Sequence, residues 1–420
     1  MKHVILGNGP AGVIAAETIR KYSPNDEILM IGSEEGPPYS RMAIPYLLMG
    51  NIQESGTYLR KDQHHFSKLN ITQLNAKVKS VDCKGKHLIF EGQENKSVAF
   101  DKLLIATGSV PVRPSIPGID LPGVHSCWTL DDARAIAQLA KPGSRVLQMG
   151  AGFIGCIILE ALASCKVELT VVEMGNRMVP RMMTEVAGGM IKQWVQSKGV
   201  QVFTDTRVQE IAHSGSALNV SLSNGKILEV DLVISATGVK PNIAFLSDSG
   251  LDTETGILVN QHMQTSHPDI YAAGDVTESI DFSTGQRIVN AIQPNAAEQA
   301  RVAGISMAGG NGQSIGAIQI NVLDTLGLIS SSFGLWSGAK GGDHVEIIDS
   351  ERYKYFRLEF LGDVLVGATT IGSTEHIGVL RGLIQSKTAL GEWKAYLLKE
   401  PAKAMEAYLA KAQAQSAWMN

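Results

Sequence analysis

Cysteine is scarce: the 420 residues hold four, Cys83, Cys127, Cys156 and Cys165, with no C-x-x-C pair among them. Their scatter does not suit a zinc site or an iron–sulfur cluster held by the chain itself. Cys156 and Cys165 fall in or just after an apolar helical pattern and read as small buried hydrophobes. Long hydrophobic runs are also missing. No stretch reaches the roughly 18 uninterrupted apolar residues of a membrane span, so no span is expected. Charge of one sign is in small excess, a net −4, which implies no general attraction to nucleic acid or to an anionic membrane. The apolar residues 3–6 follow Met1 and Lys2 directly, leaving no room for a signal peptide, so the cytoplasm is the expected location. His64 and His65 form a lone pair in a polar segment and are expected at a solvated surface, not at a metal. Neither a nucleophile elbow nor a paired-carboxylate hydrolase signature is present. Chemistry must therefore belong mainly to bound cofactors.

Glycine, by contrast, is plentiful, and its placement is informative. In "HVILGNGPAGVIAAETI", residues 3–19, Gly7, Gly9 and Gly12 stand between an apolar strand pattern and Val13, Ala16, Ile19 and Tyr22 at helical spacing. Gly7 permits the tight turn, Gly9 lets backbone approach a pyrophosphate, and Gly12 lets the helix pack closely on the strand. A second strand, residues 27–31, ends in Ser33, Glu34 and Glu35, where a carboxylate can accept hydrogen bonds from a ribose.

The arrangement recurs. "RVLQMGAGFIGCIILEALASCKVELTVVE" repeats strand, Gly150-x-Gly152-x-x-Gly155, helix, strand and terminal Glu173. A hairpin-like stretch follows each copy, "VKSVDCKGKHLIFEG" and then "LNVSLSNGKILEV", whose Asn224-Gly225 is a two-residue turn signal. Each copy closes on an apolar strand and an Ala-Thr-Gly turn, "LLIATGS" at 103–109 and "LVISATG" at 232–238. Four matched elements in one order mean two homologous nucleotide-binding modules in an α/β fold of Rossmann type.

A third motif, "HPDIYAAGDV" at 267–276, reads as a strand over 270–273 ending in Gly274-Asp275. With the duplicated modules, it resembles the FAD- and NAD-dependent pyridine nucleotide-disulfide oxidoreductase superfamily over residues 1 to about 315. The resemblance implies that Asp275 accepts a hydrogen bond from the ribityl chain of FAD. It makes the first module the FAD site, with Gly7, Gly9, Pro10, Ala11 and Gly12 in the turn, Glu34 beside Glu35 on the adenosine ribose, and Arg41 of "PPYSR" by the pyrophosphate. The backbone near Val78 falls at the adenine, and Pro45, Ala106, Thr107, Gly108, Gly274 and Pro294 complete the expected FAD set. The second module becomes the NAD site, formed by Gly150, Gly152, Phe153, Ile154, Gly155, Glu173 and Gly238. Glu173 would bond the ribose hydroxyls of NAD and repel a 2′-phosphate, and Arg177 lies four positions further on, so NAD is expected over NADP. No side chain is expected to be catalytic in its own right, since the flavin mediates the reaction.

Superfamily members that reduce disulfides carry a cysteine pair next to the first module. Those that reduce coenzyme A disulfide, peroxide or oxygen carry one near "YSRMAIPYLLMG", where this chain has Met42, Ala43 and Ile44. Relatives that reduce ferredoxins and rubredoxins need no such thiol, although the lysine and glutamate many of them place near the flavin are Tyr46 and Ile157 here. The cysteine-free stretch and the chain's end also resemble FAD subunits of multi-subunit enzymes such as tungsten aldehyde oxidoreductase and phenylglyoxylate dehydrogenase.

Three parts are expected: an FAD domain of residues 1–113 and 241–315, an NAD domain of 114–240, and an α+β interface domain of 316–420. The last has strands in "GAIQINVLDTLGLISSSFG" and "YKYFRLEFLGDVLVGATTIG", a turn at Gly362-Asp363, a helix over 374–386, and a helical tail broken before Pro401. Ala404, Tyr408, Leu409 and Ala412 of that tail could face another subunit in a hetero-oligomer or pack on their own domain. The expected function is electron passage between NAD(H) and an iron–sulfur protein or subunit. Two rivals are a self-contained NADH oxidase or disulfide reductase, and a flavin-bearing redox sensor or scaffold.

Overall fold

The computed structural model describes residues 1–373, 375 and 377–417. Two compact units emerge, Met1–Val112 with Val239–Ile318, and Arg113–Gly238 with Gln319–Asn420.

In the first unit the strands Ile270–Ala272, Lys102–Ile105, Lys2–Leu6, Glu27–Gly32 and Ile71–Asn75 lie in that order in one parallel sheet. Val4, Ile5, Leu103, Leu104 and Ile31 are fully buried, as continuous apolar runs covered on both faces must be. The helix Pro10–Tyr22 begins with proline, whose missing N–H costs nothing there. It buries Val13, Ala16 and Ile19 but leaves Tyr22 52% exposed. The apolar stripe thus stops at Ile19, and Tyr22 is a surface residue. The helix Gln293–Met307 packs against it through Gly304, where an added Cβ would lie 2.8 Å from Thr18 Cβ. The edge strand Ile71–Asn75 was not read from sequence, because only Ile71 of its five residues is buried.

One ion-pair cluster ties the first hairpin to this sheet. Asp269 accepts from Lys86 in the hairpin turn at 2.5 Å and pairs with Lys102 at 2.9 Å, and the two ammonium groups hold its carboxyl down to about 2 from the ordinary 3.8. A depressed folded-state value means stabilisation that is present above about pH 4 and vanishes as pH falls toward 2. Asp269→Asn is therefore expected to lower the melting temperature at pH 7 by a few degrees, a modest cost because the cluster is partly exposed. The difference should close as both proteins are melted at successively lower pH down to 2.5. A gap that persisted undiminished at pH 2.5 would contradict the assignment.

The second unit repeats the plan. Strands Gln201–Phe203, Glu168–Val172, Arg145–Met149, Leu232–Ser235 and Val124–His125 form its parallel sheet. The hairpin after it turns through three residues, Ser223, Asn224 and Gly225, since Leu222 N–H donates to Lys226 O and Gly225 takes φ +82°. This differs from the two-residue turn expected. A glycine in the left-handed region closing a three-residue loop accounts for it.

In the same unit an antiparallel sheet runs Ile320–Thr325, Leu328–Gly334, Val364–Ile371, Lys354–Leu361, Asp343–Asp349. Its expected turn at Gly362-Asp363 is present, with Leu361 opposite Val364. Trp194 Nε1 donates to Thr325 O and Leu326 O at 3.1 Å, and Thr184 Oγ1 donates to Tyr355 Oη at 3.1 Å, so the sheet is bound directly to the second module. The edge strand Asp343–Asp349 is mostly exposed and was not read from sequence. The helix Ile377–Ser386 is present; Thr374 and His376, at its expected start, lie outside the described residues. The tail breaks as expected into Glu392–Leu397, a short turn at Pro401–Lys403, and Ala404–Ala417. Ala404 is buried inward while Tyr408 and Leu409 are exposed; the Ala412 side chain lies outside the described residues. Among the described residues no helix is long and apolar enough to cross a membrane.

Candidate cofactor sites

The three glycines of the first turn do different work. Gly7 has φ +119°, and a Cβ there would fall 2.1 Å from Ala106 O; one on Gly12 would fall 1.9 Å from Gly7 O. Both are demanded by the packing of strand, turn and helix. Gly9 has ordinary extended angles, φ −73° and ψ −172°, and a Cβ there would meet nothing within 4 Å. The open space lies at the N-terminus of the helix Pro10–Tyr22, where unpaired backbone N–H groups and the positive end of the helix face outward. Such an opening can cradle a phosphate, and glycine at position 9 keeps it open.

Two of the other expected FAD residues, Ala106 and Gly274, lie against this turn and the start of its helix. Ala106, Thr107 and Gly108 follow the neighbouring strand, Gly108 with φ +66° and Thr107 Oγ1 donating to Asn242 O at 3.0 Å. Gly274, φ +84°, packs against Ala11 and Ala296, which seats Asp275 beside the helix start. Asp275 is half-buried. Burial raises its carboxyl above the ordinary value, opposed by a 2.8 Å hydrogen bond donated by Ser109 Oγ. Pro294 opens the helix Gln293–Met307 and is exposed. Val78 begins the hairpin and is half-buried, Pro45 is buried in the short helix Ile44–Leu48, and Glu35 is exposed.

Glu34 and Arg41, expected at different parts of one cofactor, are joined directly. Arg41 Nη2 donates to Glu34 Oε1 at 2.5 Å, Tyr39 Oη donates to Glu34 Oε2 at 2.5 Å, and Arg41 Nη1 donates to Tyr39 Oη at 2.9 Å. Sequence reasoning missed Tyr39 and Ser109. The aromatic inside "PPYSR" and the hydroxyl directly after Ala-Thr-Gly were the available signals.

The second turn reproduces the division of labour. A Cβ on Gly150, φ +96°, would fall 2.4 Å from Ala236 O, and one on Gly155 would fall 2.4 Å from Gly150 O, while Gly152 has nothing within 4 Å. Phe153 and Ile154, both half-buried, form the first turn of the helix Phe153–Ser164. Gly238, φ +108°, is likewise unobstructed. Glu173 is 9% exposed, its Oε2 accepting from Ala151 N at 2.7 Å and its Oε1 from Gly175 N at 2.8 Å. The two backbone donors fix the carboxylate, and each oxygen keeps a further lone pair for a ribose hydroxyl. Arg177 is committed elsewhere: it donates to Met183 O at 2.9 Å, Pro180 O at 3.1 Å and Asn176 Oδ1 at 2.8 Å. It is not free to pair with a 2′-phosphate. Two open phosphate cradles, each with an acidic partner, fit one FAD and one NAD.

The cysteines stand apart from this machinery. Cys83, Cys127 and Cys156 are buried and Cys165 is half-buried at the end of a helix, so Cys165 is more exposed than expected. Burial pushes the thiols of Cys127 and Cys156 up to about 12 and raises Cys83 as well, which disfavours thiolate chemistry. His65 pairs with Glu17 at 2.7 Å beside Arg60, and His64 is exposed. No group of residues able to hold a metal occurs among the described residues.

Residues 1–302 match the pyridine nucleotide-disulphide oxidoreductase family, and the chain belongs to it. It is an NAD(H)-dependent flavoprotein oxidoreductase with FAD and NAD as cofactors. Among its relatives is the epsilon subunit of the NADH-dependent phenylglyoxylate dehydrogenase of Aromatoleum evansii, 31% identical over 403 residues that cover 95% of each chain. The NADH oxidase of Methanocaldococcus jannaschii is 33% identical over 324 residues, 74% of this chain and 70% of that one. The ferredoxin–NAD(+) reductase component of the 3-phenylpropionate/cinnamic acid dioxygenase of Photorhabdus laumondii is 31% identical over 311 residues, 73% of this chain and 77% of that one.

Proposed function

We propose that this chain passes electrons between NAD(H) and an iron–sulfur protein or subunit, as the flavin-bearing subunit of a larger redox complex. The observation that carries the reading is the absence of a thiol from residues 40–50, where thiol-relay members of the family hold theirs. The four cysteines lie elsewhere, three of them buried. Similarity to a dehydrogenase subunit across 95% of both chains supports the subunit role. Likeness to a ferredoxin reductase component supports the acceptor class.

Bound flavin supplies a carrier that takes up two electrons as a hydride and gives them up singly. The protein contributes binding and orientation. The backbone amides beyond Gly9 and Gly152 would hold pyrophosphates, Asp275 would accept from a sugar-chain hydroxyl, and Glu173 would select an unphosphorylated ribose. No side chain need move a proton in this scheme.

The test compares NADH consumption with a viologen or ferredoxin and with coenzyme A disulfide, in wild type and in a variant with all four cysteines replaced by serine or alanine. Buried replacements cost roughly 1–3 kcal/mol each, so assays belong well below the melting temperature. One-electron acceptors should be reduced by both proteins, and the disulfide hardly at all by either. Fast disulfide reduction that disappears with a single cysteine would overturn the proposal, and rapid turnover with oxygen alone would favour an oxidase.

A further inference from the structure

The second glycine turn carries a fastening that the first lacks. Gln148 stands two residues before Gly150 on the strand Arg145–Met149 and is fully buried. Its Nε2 donates to Gly150 O and to Gly155 O, each at 2.9 Å. Two residues before Gly7 the first module has Ile5, equally buried, whose methyl group faces Gly12. The duplicated modules thus supply an internal comparison at one structural position: a hydrocarbon in one, an amide in the other.

The amide is a costly occupant of a strand covered on both sides. Gln148 Oε1 has no partner among the described residues, and a buried acceptor without a donor opposes folding. Something must offset that cost, and among the described residues the side chain's bonds are the two from Nε2. Both recipients are carbonyl oxygens, so only the nitrogen end of the amide can face them. One recipient opens the turn and the other lies in the first turn of the following helix. Between them stand Gly152, Phe153 and Ile154, the segment that presents backbone amides to an anion.

The two turns also differ in how closely their ends approach. An added Cβ on Gly12 would lie 1.9 Å from Gly7 O, whereas the matching distance from Gly155 to Gly150 O is 2.4 Å. The two ends of the second turn are less tightly apposed, and the Gln148 amide bridges them. Ala151, inside the same turn, is held as well: its N–H donates to Glu173 Oε2 at 2.7 Å and its carbonyl accepts from Val179 N at 2.8 Å. Val179 adopts φ +50°, a conformation unfavourable for a β-branched residue and sustained only where its surroundings require it. Three side chains or loops therefore converge on keeping one turn in one conformation.

We propose that Gln148 is a positioning residue for the nucleotide bound by the second module, acting through the Gly150 and Gly155 carbonyls to hold the phosphate-facing amides in place. The inference rests on the assignment of that module to NAD. Gln148→Ile copies the first module, Gln148→Met keeps the length without a donor, and both remove the unpartnered oxygen. In the flavin-loaded protein, ADP-ribose is titrated as an unreactive probe, and NADH kinetics and flavin content are measured alongside. Either variant should weaken ADP-ribose binding and raise the KM for NADH together by about tenfold, the size of the loss of one or two neutral hydrogen bonds. Saturating kcat and flavin content should stay near wild type, and the melting temperature should not fall for whichever variant packs well. A purely space-filling role predicts wild-type ADP-ribose affinity in a folded Gln148→Ile or Gln148→Met protein, and that result overturns the proposal. Wild-type protein that binds no ADP-ribose would overturn the NAD assignment itself and the proposal with it.

Discussion

Replacing Gly9 by valine is expected to yield a folded protein without flavin. The chain itself leaves room for the side chain: nothing lies within 4 Å of an added Cβ, and φ −73° with ψ −172° is accessible to any residue. The folding cost is the modest one of a less favourable helix N-cap, about 1 kcal/mol. The space the side chain fills is the one a pyrophosphate needs, so FAD affinity should drop at least about a hundredfold, roughly 3 kcal/mol. Gly12→Ala provides the contrast. Its Cβ would sit 1.9 Å from the Gly7 carbonyl oxygen, so backbone must shift and stability itself should fall by several kcal/mol. Asp275→Ala removes the half-buried acceptor that Ser109 now holds at 2.8 Å and should also lose flavin, while Asp275→Asn keeps a carbonyl oxygen and should lose less. Flavin absorbance per chain, read beside circular-dichroism melting curves, separates exclusion of the cofactor from misfolding. A Gly9→Val protein that purified with one FAD per chain would falsify the assignment of the first module.

Nucleotide preference offers the second large effect. Wild-type flavin should be bleached by NADH at much lower concentration than by NADPH, because the carboxylate of Glu173 meets a 2′-phosphate with like charge and Arg177 is tied to three other oxygens. Glu173→Ala should shrink the difference by about tenfold or more, mainly through weaker NADH binding, since like-charge juxtaposition and lost ribose bonds each amount to a kcal/mol or more. It should also destabilise the second unit by about 2 kcal/mol, because the buried Ala151 N and the half-buried Gly175 N lose the carboxylate that accepts from both. Anaerobic stopped-flow reduction with each nucleotide gives the preference, and thermal melts give the stability. Equal reduction of the wild type by the two nucleotides would remove the argument from Glu173.

Both predictions rest on features of very different legibility. The glycine spacings, the acidic residues after the second strands and the Ala-Thr-Gly and Ala-Gly-Asp turns are visible in the sequence because each is a local constraint. A tight turn needs glycine, a buried parallel strand needs a continuous apolar run, and both leave their mark within a dozen residues. The duplication strengthened them, and the missing thiol at residues 40–50 was equally plain. From such local rules the sequence by itself determined an α/β protein with two dinucleotide modules.

The tertiary structure alone decided what those residues touch. It separated Gly7 and Gly12, required by packing, from Gly9, required by no protein contact, although all three share one motif. Ser109 and Asp275 meet across 166 positions of sequence, and Trp194 reaches the backbone of Thr325 across 131. No periodicity spans such distances. The Glu34–Tyr39–Arg41 cluster and the Gln148 clamp arise from side chains whose local context allows several partners, and the fold chooses one. The edge strands Ile71–Asn75 and Asp343–Asp349 escaped notice because a strand exposed along an edge has little apolar burial to encode. Short-range patterning specifies the elements, while long-range pairing and burial, settled only when the whole core closes, specify the site.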